Sequence, residues 1–195
     1  MSGAWVVIPS QGFERGKTRL APVLGPEERR AFSRRSFLGV LKAAREAVGA
    51  RHVVVVSASA EVLGLARRSG GVGLVERRPD LNGSVERGVR CAQRRGARVV
   101  VVVHADLPQL KRDDLRGMLR GDVSLAPDRH HSGTNAVAVR SGRAFTFRFG
   151  VDSFEKHRAE ARRRRVHARV VRTPGLASDV DTPEDYRAMA RSARR

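Results

Sequence analysis

The chain has 195 residues, and 39 Lys and Arg against 20 Asp and Glu give it a formal net charge of +19 at pH 7. This length suits a single domain over residues 1–195, which buries about 70% of the unfolded chain's surface on folding. Apolar residues make up 41%, too many for a disordered protein, and no apolar run is long enough to span a membrane. The one cysteine, Cys91, excludes an internal disulfide and a cysteine-based zinc site. Because Met1–Trp5 lacks the pattern of a signal peptide, we expect a cytoplasmic protein.

The positive charge is mostly arginine, since lysine stands only at positions 17, 42, 111 and 156. A basic chain favours a polyanionic partner, because each neutralised phosphate releases counterions. The arginines are spread over the whole length, however, and the densest run, Arg162–Arg165, has no interleaved aromatic residue to stack on a base. A general bias towards arginine therefore explains the charge better than nucleic-acid binding does. A non-catalytic nucleic-acid-binding protein remains an alternative.

The predicted elements favour an α/β protein, a three-layer sandwich with a mainly parallel sheet. Continuous apolar runs indicate strands that are covered on both faces. In chain order, strands are predicted at Trp5–Pro9, Val53–Val56, Val72–Val75, Val99–Val103, Val123–Leu125 and Ala168–Val171. Helices are predicted from Pro26 to Gly49 and at Ala60–Arg68, Ser84–Arg95, Asp113–Leu119, Asp152–Arg163 and Pro183–Arg191.

A small antiparallel addition is predicted after residue 134. Asn135–Arg140 alternates apolar and polar residues, which is typical of a half-exposed strand. Phe145–Phe149 is predicted to pair with it.

Three aspartates favour a metal site. Asp106 follows the fourth predicted strand, and ligands bind beyond the carboxyl ends of the strands in open parallel sheets. Asp179 and Asp181 are two residues apart, so their side chains project to one side if the backbone is extended. Carboxylates in this arrangement suit Mg²⁺, which takes one or two of them and bridges to substrate phosphates. A capping box formed by Thr182 and Asp185 is the structural alternative, but it leaves Asp179 without a role.

The loop after the first strand is basic and contains two glycines. Gly12 and Gly16 allow a close approach of the backbone to a ligand, and Lys17 and Arg19 can contact phosphate. The spacing of these residues is one short of a P-loop, so the segment by itself is weak evidence of nucleotide binding.

Six motifs occur in one order along the chain. Segments 17–22, 81–83, 105–108, 133–136, 149–157 and 179–185 read KTRLAP, LNG, ADLP, GTNA, FGVDSFEKH and DVDTPED. Together they resemble the CofC/FbiD family of phospho-acid guanylyltransferases, which act in the biosynthesis of coenzyme F-420. The resemblance implies the nucleotidyltransferase fold, of the MobA-like or nucleotide-diphospho-sugar transferase type. It also implies the transfer of GMP from GTP to a three-carbon phospho-acid, with release of pyrophosphate.

The resemblance further implies the residues that form the site. Those that would hold Mg²⁺ are Asp106, Asp179 and Asp181. Those that would bind the phospho-acid are Thr134, Gly150 and Ser153. Those that would bind the nucleotide are Ser10, Gly12, Lys17, Arg19, Leu81, Asn82 and Gly83. Those that would act in catalysis are Lys17, Arg19 and Asp106.

Two departures from the family pattern leave the acceptor open. His130-His131-Ser132 stands where the family usually has a second glycine, and the first loop reads Ser10-Gln11-Gly12-Phe13, where many relatives have Lys-Pro. The acceptors to be considered are 2-phospho-L-lactate, phosphoenolpyruvate and 3-phospho-D-glycerate. A nucleotidyltransferase for molybdopterin or a sugar phosphate is the nearer alternative, although such enzymes usually have a Gly-x-Gly-x-Arg loop that this chain lacks.

The expected partners follow from the same resemblance. They are GTP, the phospho-acid and the next transferase of the F-420 pathway, to which the product would be handed over. Neither a membrane nor a nucleic acid is expected as a partner, and a homodimer remains open.

Overall fold

A seven-stranded sheet organises the fold. The computed structural model describes residues 3–14, 17–77 and 80–192. The strands are β1 (Ala4–Pro9), β2 (Val53–Ser57), β3 (Val72–Val75), β4 (Val99–Val103), β5 (Val123–Pro127), β6 (Thr134–Arg140) and β7 (Ala168–Val170). The helices are α1 (Pro26–Val48), α2 (Ala60–Arg68), α3 (Leu81–Arg94), α4 (Arg112–Met118), α5 (Ser153–Arg163), α6 (Pro174–Ala177) and α7 (Pro183–Ser192).

The strand order is β3-β2-β1-β4-β6-β5-β7. β1 pairs in parallel with β2 and β4, β2 with β3, and β5 with β7. β6 runs antiparallel to both of its neighbours, β4 and β5. The prediction of a mainly parallel sheet with a small antiparallel addition is therefore confirmed.

Two hydrophobic clusters cover the two faces of the sheet. In β4, Val101 and Val103 belong to one cluster, whereas Val100 and Val102 belong to the other. Helices α1, α2, α4 and α6 contribute to the first cluster, and α3 and α5 to the second. This burial of both faces is the physical reason why the strands are unbroken apolar runs, and it confirms the three-layer arrangement. In the described part of the chain, no helix is both long and apolar enough to cross a membrane.

The prediction that Phe145–Phe149 is a strand is wrong. Three of its backbone N–H groups donate to side chains instead: Thr146 to Glu160 Oε1 at 3.1 Å, Arg148 to His157 Nε2 at 2.9 Å and Phe149 to Asn82 Oδ1 at 2.8 Å. The segment has no place beside β6, because β4 and β5 already occupy both edges of that strand. The same central position buries β6 from Thr134 to Val139, so the expected half-exposure is also wrong.

Two helices differ from the prediction. α3 begins at Leu81 rather than at Ser84, because the Asp80 carboxylate caps it and accepts a hydrogen bond from the Asn82 N–H at 3.1 Å. The short helix α6 was not predicted from the sequence. Thr173 caps it, with the Leu176 N–H donating to Thr173 Oγ1 at 3.2 Å.

Glu160 ties the segment around Thr146 to α5, and we expect it to make the fold sensitive to acid. Burial raises the pKa of its carboxyl, but hydrogen bonds from Arg164, Arg163 and the Thr146 N–H outweigh this and lower the pKa to about 2. Because the folded-state pKa lies below the unfolded one, the stabilisation is complete above the unfolded pKa and is lost as the pH falls towards 2. Since solvent screens the arginines, we expect Glu160→Gln to lower the free energy of unfolding at pH 7 by about 2 kcal/mol.

Urea unfolding at pH 7 and pH 3 tests this expectation. The difference between the wild-type chain and Glu160→Gln should fall by more than half at pH 3. The control is Glu86→Gln, because Glu86 is an exposed carboxylate in the middle of α3. A difference of the same size at both pH values would contradict the assignment.

Candidate active site

The candidate site is a cavity of about 280 Å³ at the carboxyl ends of β1 and β4. Its wall includes the loop after β1, the start of α3 and the residues that follow β4. The predicted site residues in this wall are Ser10, Gly12, Lys17, Leu81, Asp106 and Asp181. Five further polar residues of the wall were not among the predicted site residues: Gln11, Ser33, Glu76, Ser84 and His104. Glu76 and His104 directly follow strands β3 and β4, and this position was the signal that could have found them.

Lys17 joins two of the predicted aspartates. Its Nζ lies 2.5 Å from Asp106 Oδ2 and 2.7 Å from Asp181 Oδ1, and its side chain is only 7% exposed. Burial lowers the pKa of the Lys17 ammonium, but the two carboxylates outweigh burial and raise the pKa above its usual value. Burial likewise raises the pKa of Asp106, and the charge of Lys17 outweighs that effect and lowers it. Lys17 and Asp106 are therefore both charged at neutral pH.

A small hydrophobic cluster brings these residues together. Leu20 and Leu24, from the first loop, pack with Phe32 of α1 and with Val180. Val180 stands between Asp179 and Asp181 in the sequence, so its burial holds both carboxylates beside the first loop. Lys17 itself has φ 60°, in the left-handed region, just before the turn of 3-10 helix at Thr18–Leu20. A lysine rarely adopts this conformation, so the surrounding packing must hold it there.

Asp179 has a different environment from the other two aspartates. The Asn135 side-chain amide donates to Asp179 Oδ1 at 3.1 Å and to the Leu176 carbonyl at 2.9 Å. Burial raises the pKa of Asp179; the hydrogen bond from Asn135 opposes this, and the negative charges of Asp181 and Asp106 add to it. The Asp179 carboxylate is thus held close to two other negative charges. A bound cation would reduce the repulsion between them.

The donor set fits a hard cation. Asp106 Oδ2 and Asp181 Oδ1 converge on the point where the Lys17 ammonium lies, and carboxylate oxygens are the ligands that Mg²⁺ prefers. Asp106 Oδ1 is buried and has no hydrogen-bond partner among the described residues, so it retains a lone pair for a further contact. Within residues 3–14, 17–77 and 80–192, no group of three or more His, Cys, Asp or Glu side chains already lies close enough to hold a metal ion. Two carboxylates are therefore brought together directly, and Asp179 is held separately by Asn135.

The segment 179–185 also contains the capping box. Thr182 Oγ1 accepts a hydrogen bond from the Asp185 N–H at 3.3 Å, and Asp185 Oδ2 accepts one from the Thr182 N–H at 2.9 Å. Asp185 further accepts from the Asp181 N–H at 3.1 Å, which fixes the backbone of Asp181. The capping interpretation is confirmed for Thr182 and Asp185, and it accounts for neither Asp179 nor the side chain of Asp181.

The three residues predicted to bind the phospho-acid lie at the start of β6 and at or just before the start of α5, and none of them is in the wall of the cavity. Thr134 and Ser153 are buried, and Gly150 has φ +120°, a conformation that other residues rarely adopt. The Phe154 N–H donates to the Ser132 carbonyl at 3.1 Å, which holds the start of α5 against the turn before β6. Next to Gly150, the Phe149 ring packs 5.2 Å from the ring of His104, in the wall of the cavity.

The remaining predicted nucleotide-binding residues have specific structural surroundings. Gly12 has φ +97°, and a Cβ there would lie 3.2 Å from Ser59 Cβ, so the first loop requires glycine at this position. A Cβ at Gly83 would lie 2.5 Å from Asp80 Oδ2, so this glycine makes room for the cap of α3. Arg19 is exposed, and Gly16 lies outside the described residues.

Asn82 connects the start of α3 to the segment before Gly150. Its Nδ2 donates to the Phe149 carbonyl at 3.1 Å, and its Oδ1 accepts from the Phe149 N–H at 2.8 Å. The side-chain amide is thus bonded to the backbone at both ends, which links the expected nucleotide region to the expected acid region.

The sequence matches a known protein family. The family model described as "Guanylyl transferase CofC like" matches residues 4–190. A phosphoenolpyruvate guanylyltransferase of Sphaerobacter thermophilus is 40% identical over 189 residues, covering 94% of this chain and 91% of that protein. A 2-phospho-L-lactate guanylyltransferase of Methanothermobacter thermautotrophicus is 35% identical over 188 residues, covering 92% of this chain and 80% of that protein.

Among solved structures, a protein of Desulfovibrio desulfuricans named as a nucleotide-diphospho-sugar transferase superposes with a TM-score of 0.79. It is 18% identical in sequence, and the match covers 100% of this chain and 89% of that one, which shows a common fold. Because the family model matches nearly the whole chain and full-length relatives share more than a third of its residues, the chain belongs to the CofC guanylyl transferase family.

Proposed function

We propose that this protein transfers GMP from GTP to a three-carbon phospho-acid and releases pyrophosphate, as an enzyme of coenzyme F-420 biosynthesis. The observation that carries the proposal is the convergence of the Lys17 ammonium with Asp106 and Asp181 in the wall of a cavity at the strand ends. Family membership supports the guanylyl donor, and the names of both relatives support a phospho-acid acceptor. Phosphoenolpyruvate is the first acceptor to test, because the relative from Sphaerobacter thermophilus is named for it.

The reaction is an in-line displacement at the α-phosphorus of GTP. A phosphate oxygen of the acid attacks this phosphorus, the bond to the oxygen that bridges the α- and β-phosphates breaks, and pyrophosphate leaves with that electron pair. The nucleophile is already an anion, so no general base has to remove a proton. The barrier lies mainly in bringing two anions together, so catalysis needs positioning and positive charge.

The residues of the site match that need. Asp106, Asp179 and Asp181 would hold Mg²⁺, which when bound neutralises phosphate charge and orients the leaving group. Lys17 and Arg19 would offset the charge of the triphosphate, and Lys17 keeps its proton because of the neighbouring carboxylates. Thr134, Gly150 and Ser153 would bind the acid, and Ser10, Gly12 and the 81–83 segment would contact the nucleotide.

Pyrophosphate release tests the proposal. The protein is incubated with GTP, Mg²⁺ and each of the three acids in turn. The next transferase and its deazaflavin acceptor are included, because we expect the product to be labile and to pass to that enzyme. We expect release with one acid, and much less when ATP replaces GTP. No release with any acid, together with tight and salt-sensitive binding of nucleic acid, would overturn the proposal.

A further inference from the structure

We propose that His157 is a positioning residue, which holds the Thr134 hydroxyl so that its proton points towards the phospho-acid. The inference rests on the proposed function, in which Thr134 contacts the acid. It adds a buried histidine of α5 that touches no substrate itself but determines how the threonine presents its hydroxyl.

The hydrogen bonds of His157 determine which ring nitrogen carries the proton. The Arg148 backbone N–H lies 2.9 Å from His157 Nε2, and a backbone N–H can only donate. Nε2 therefore accepts, and in a neutral ring the proton is on Nδ1. Nδ1 lies 3.0 Å from Thr134 Oγ1, so this N–H donates to the threonine oxygen.

The surroundings keep the ring neutral and in place. Burial, and then the electrostatic effect of His104, lower the pKa of His157 to about 4, although Glu160 opposes them. The ring is completely buried, with its centroid 4.9 Å from that of Phe149 and 5.9 Å from that of Phe145. A flip of the ring about the Cβ–Cγ bond would exchange Nδ1 with Cδ2 and Nε2 with Cε1, so the hydrogen bonds to Arg148 and Thr134 would both be lost.

As a result, the hydroxyl group of Thr134 has a defined orientation. One lone pair of its hydroxyl is taken by His157, so the single O–H proton is directed to another acceptor. Phosphate and carboxylate oxygens are acceptors only, and they need donors from the protein. If His157 carried its proton on Nε2, the Thr134 hydroxyl would donate to the ring and would turn a lone pair towards the anion.

Two substitutions at His157 test the two hydrogen bonds of the ring one at a time. In His157→Asn the amide lies near the former Nδ1, so it keeps a donor for Thr134 and loses the acceptor for Arg148. In His157→Gln the amide reaches the former Nε2 position, so it keeps that acceptor and loses the donor. We expect His157→Gln to raise the KM for the acid about ten-fold or more, and His157→Asn to raise it less than about three-fold. The KM for GTP should stay within about two-fold of wild type in both variants.

A combination with Thr134→Val distinguishes positioning from a general structural role. Valine removes the hydroxyl, so we expect His157→Gln to have no further effect on the KM for the acid in that background. Effects of the two substitutions that multiply, or an equal rise in the KM for GTP, would overturn the proposal.

Nitrogen-15 NMR of the wild-type protein gives a readout that does not depend on activity. We expect Nδ1 of His157 to be protonated and Nε2 to be unprotonated, and the opposite tautomer would overturn the inference even if a substituted chain failed to fold. If the wild-type chain releases no pyrophosphate with any acid, the proposed function fails. The tautomer of His157 then still tests the hydrogen-bond geometry independently of the proposed function.

Discussion

Asp106→Asn is expected to lower the rate of pyrophosphate release by at least about a thousand-fold while the chain stays folded. The substitution keeps the shape of the side chain but removes the negative charge that faces Lys17 at 2.5 Å. The proposed site has to hold a cation between two anionic substrates. The loss of one carboxylate weakens the hold on that cation, whose stabilisation of the negative charge has the largest effect on the rate. The fold should tolerate the change, because Lys17 keeps its ion pair with Asp181 and the amide oxygen can still accept a hydrogen bond.

Turnover and thermal unfolding measured on the same preparation test this expectation. Asp113→Asn is the matched control, since Asp113 is an exposed carboxylate of α4, away from the cavity. We expect it to leave both quantities nearly unchanged. Unfolding of Asp106→Asn at ordinary temperature would mean that Asp106 has a structural role rather than a metal-binding one.

Lys17→Met is expected to have opposite effects on turnover and on metal binding. Turnover should fall at least about a hundred-fold, because the triphosphate loses a buried positive charge. The affinity for Mg²⁺ or Mn²⁺ without nucleotide should rise, because the ammonium lies where the oxygens of Asp106 and Asp181 converge and competes with any other cation there. Without metal the variant should be less stable than wild type, since two partly buried carboxylates lose their partner.

Calorimetric titration with Mn²⁺ measures the affinity, and the rise in Tm on adding Mg²⁺ provides a second measure. Both should be larger for Lys17→Met than for the wild-type chain. Lys42→Met is the control, because Lys42 forms an exposed ion pair with Glu46 on the surface of α1. Metal binding that is unchanged or weaker in Lys17→Met would show that the lysine and the metal do not share the carboxylates.

Much of the fold and some of the site could be predicted from local sequence. The valine runs of β2 and β4 predicted buried parallel strands, because only strands covered on both faces are apolar at every position. The position of Asp106 directly after such a strand predicted a ligand site, since the carboxyl ends of parallel strands meet at one edge of the sheet. The six motifs were sufficient to recognise the family, because their order along the chain is itself specific.

The antiparallel part of the sheet could not be predicted in the same way. Phe145–Phe149 has the composition of a strand, but its backbone N–H groups find side chains of α3 and α5 instead of a neighbouring strand. Whether a strand has a free edge depends on the order of strands in the sheet. That order is a property of the whole fold.

The sequence by itself therefore determined the layer architecture and the family, and it predicted the residues of the candidate site. Only the tertiary structure decided which of those residues meet. Lys17 and Asp181 are 164 positions apart, and they form an ion pair because Val180 packs against Leu20 and Leu24. His157 contacts Thr134 because α5 packs beside the start of β6. The physical reason is that hydrophobic periodicity is local, whereas an ion pair or a hydrogen bond between distant residues forms only after packing has brought their backbones together.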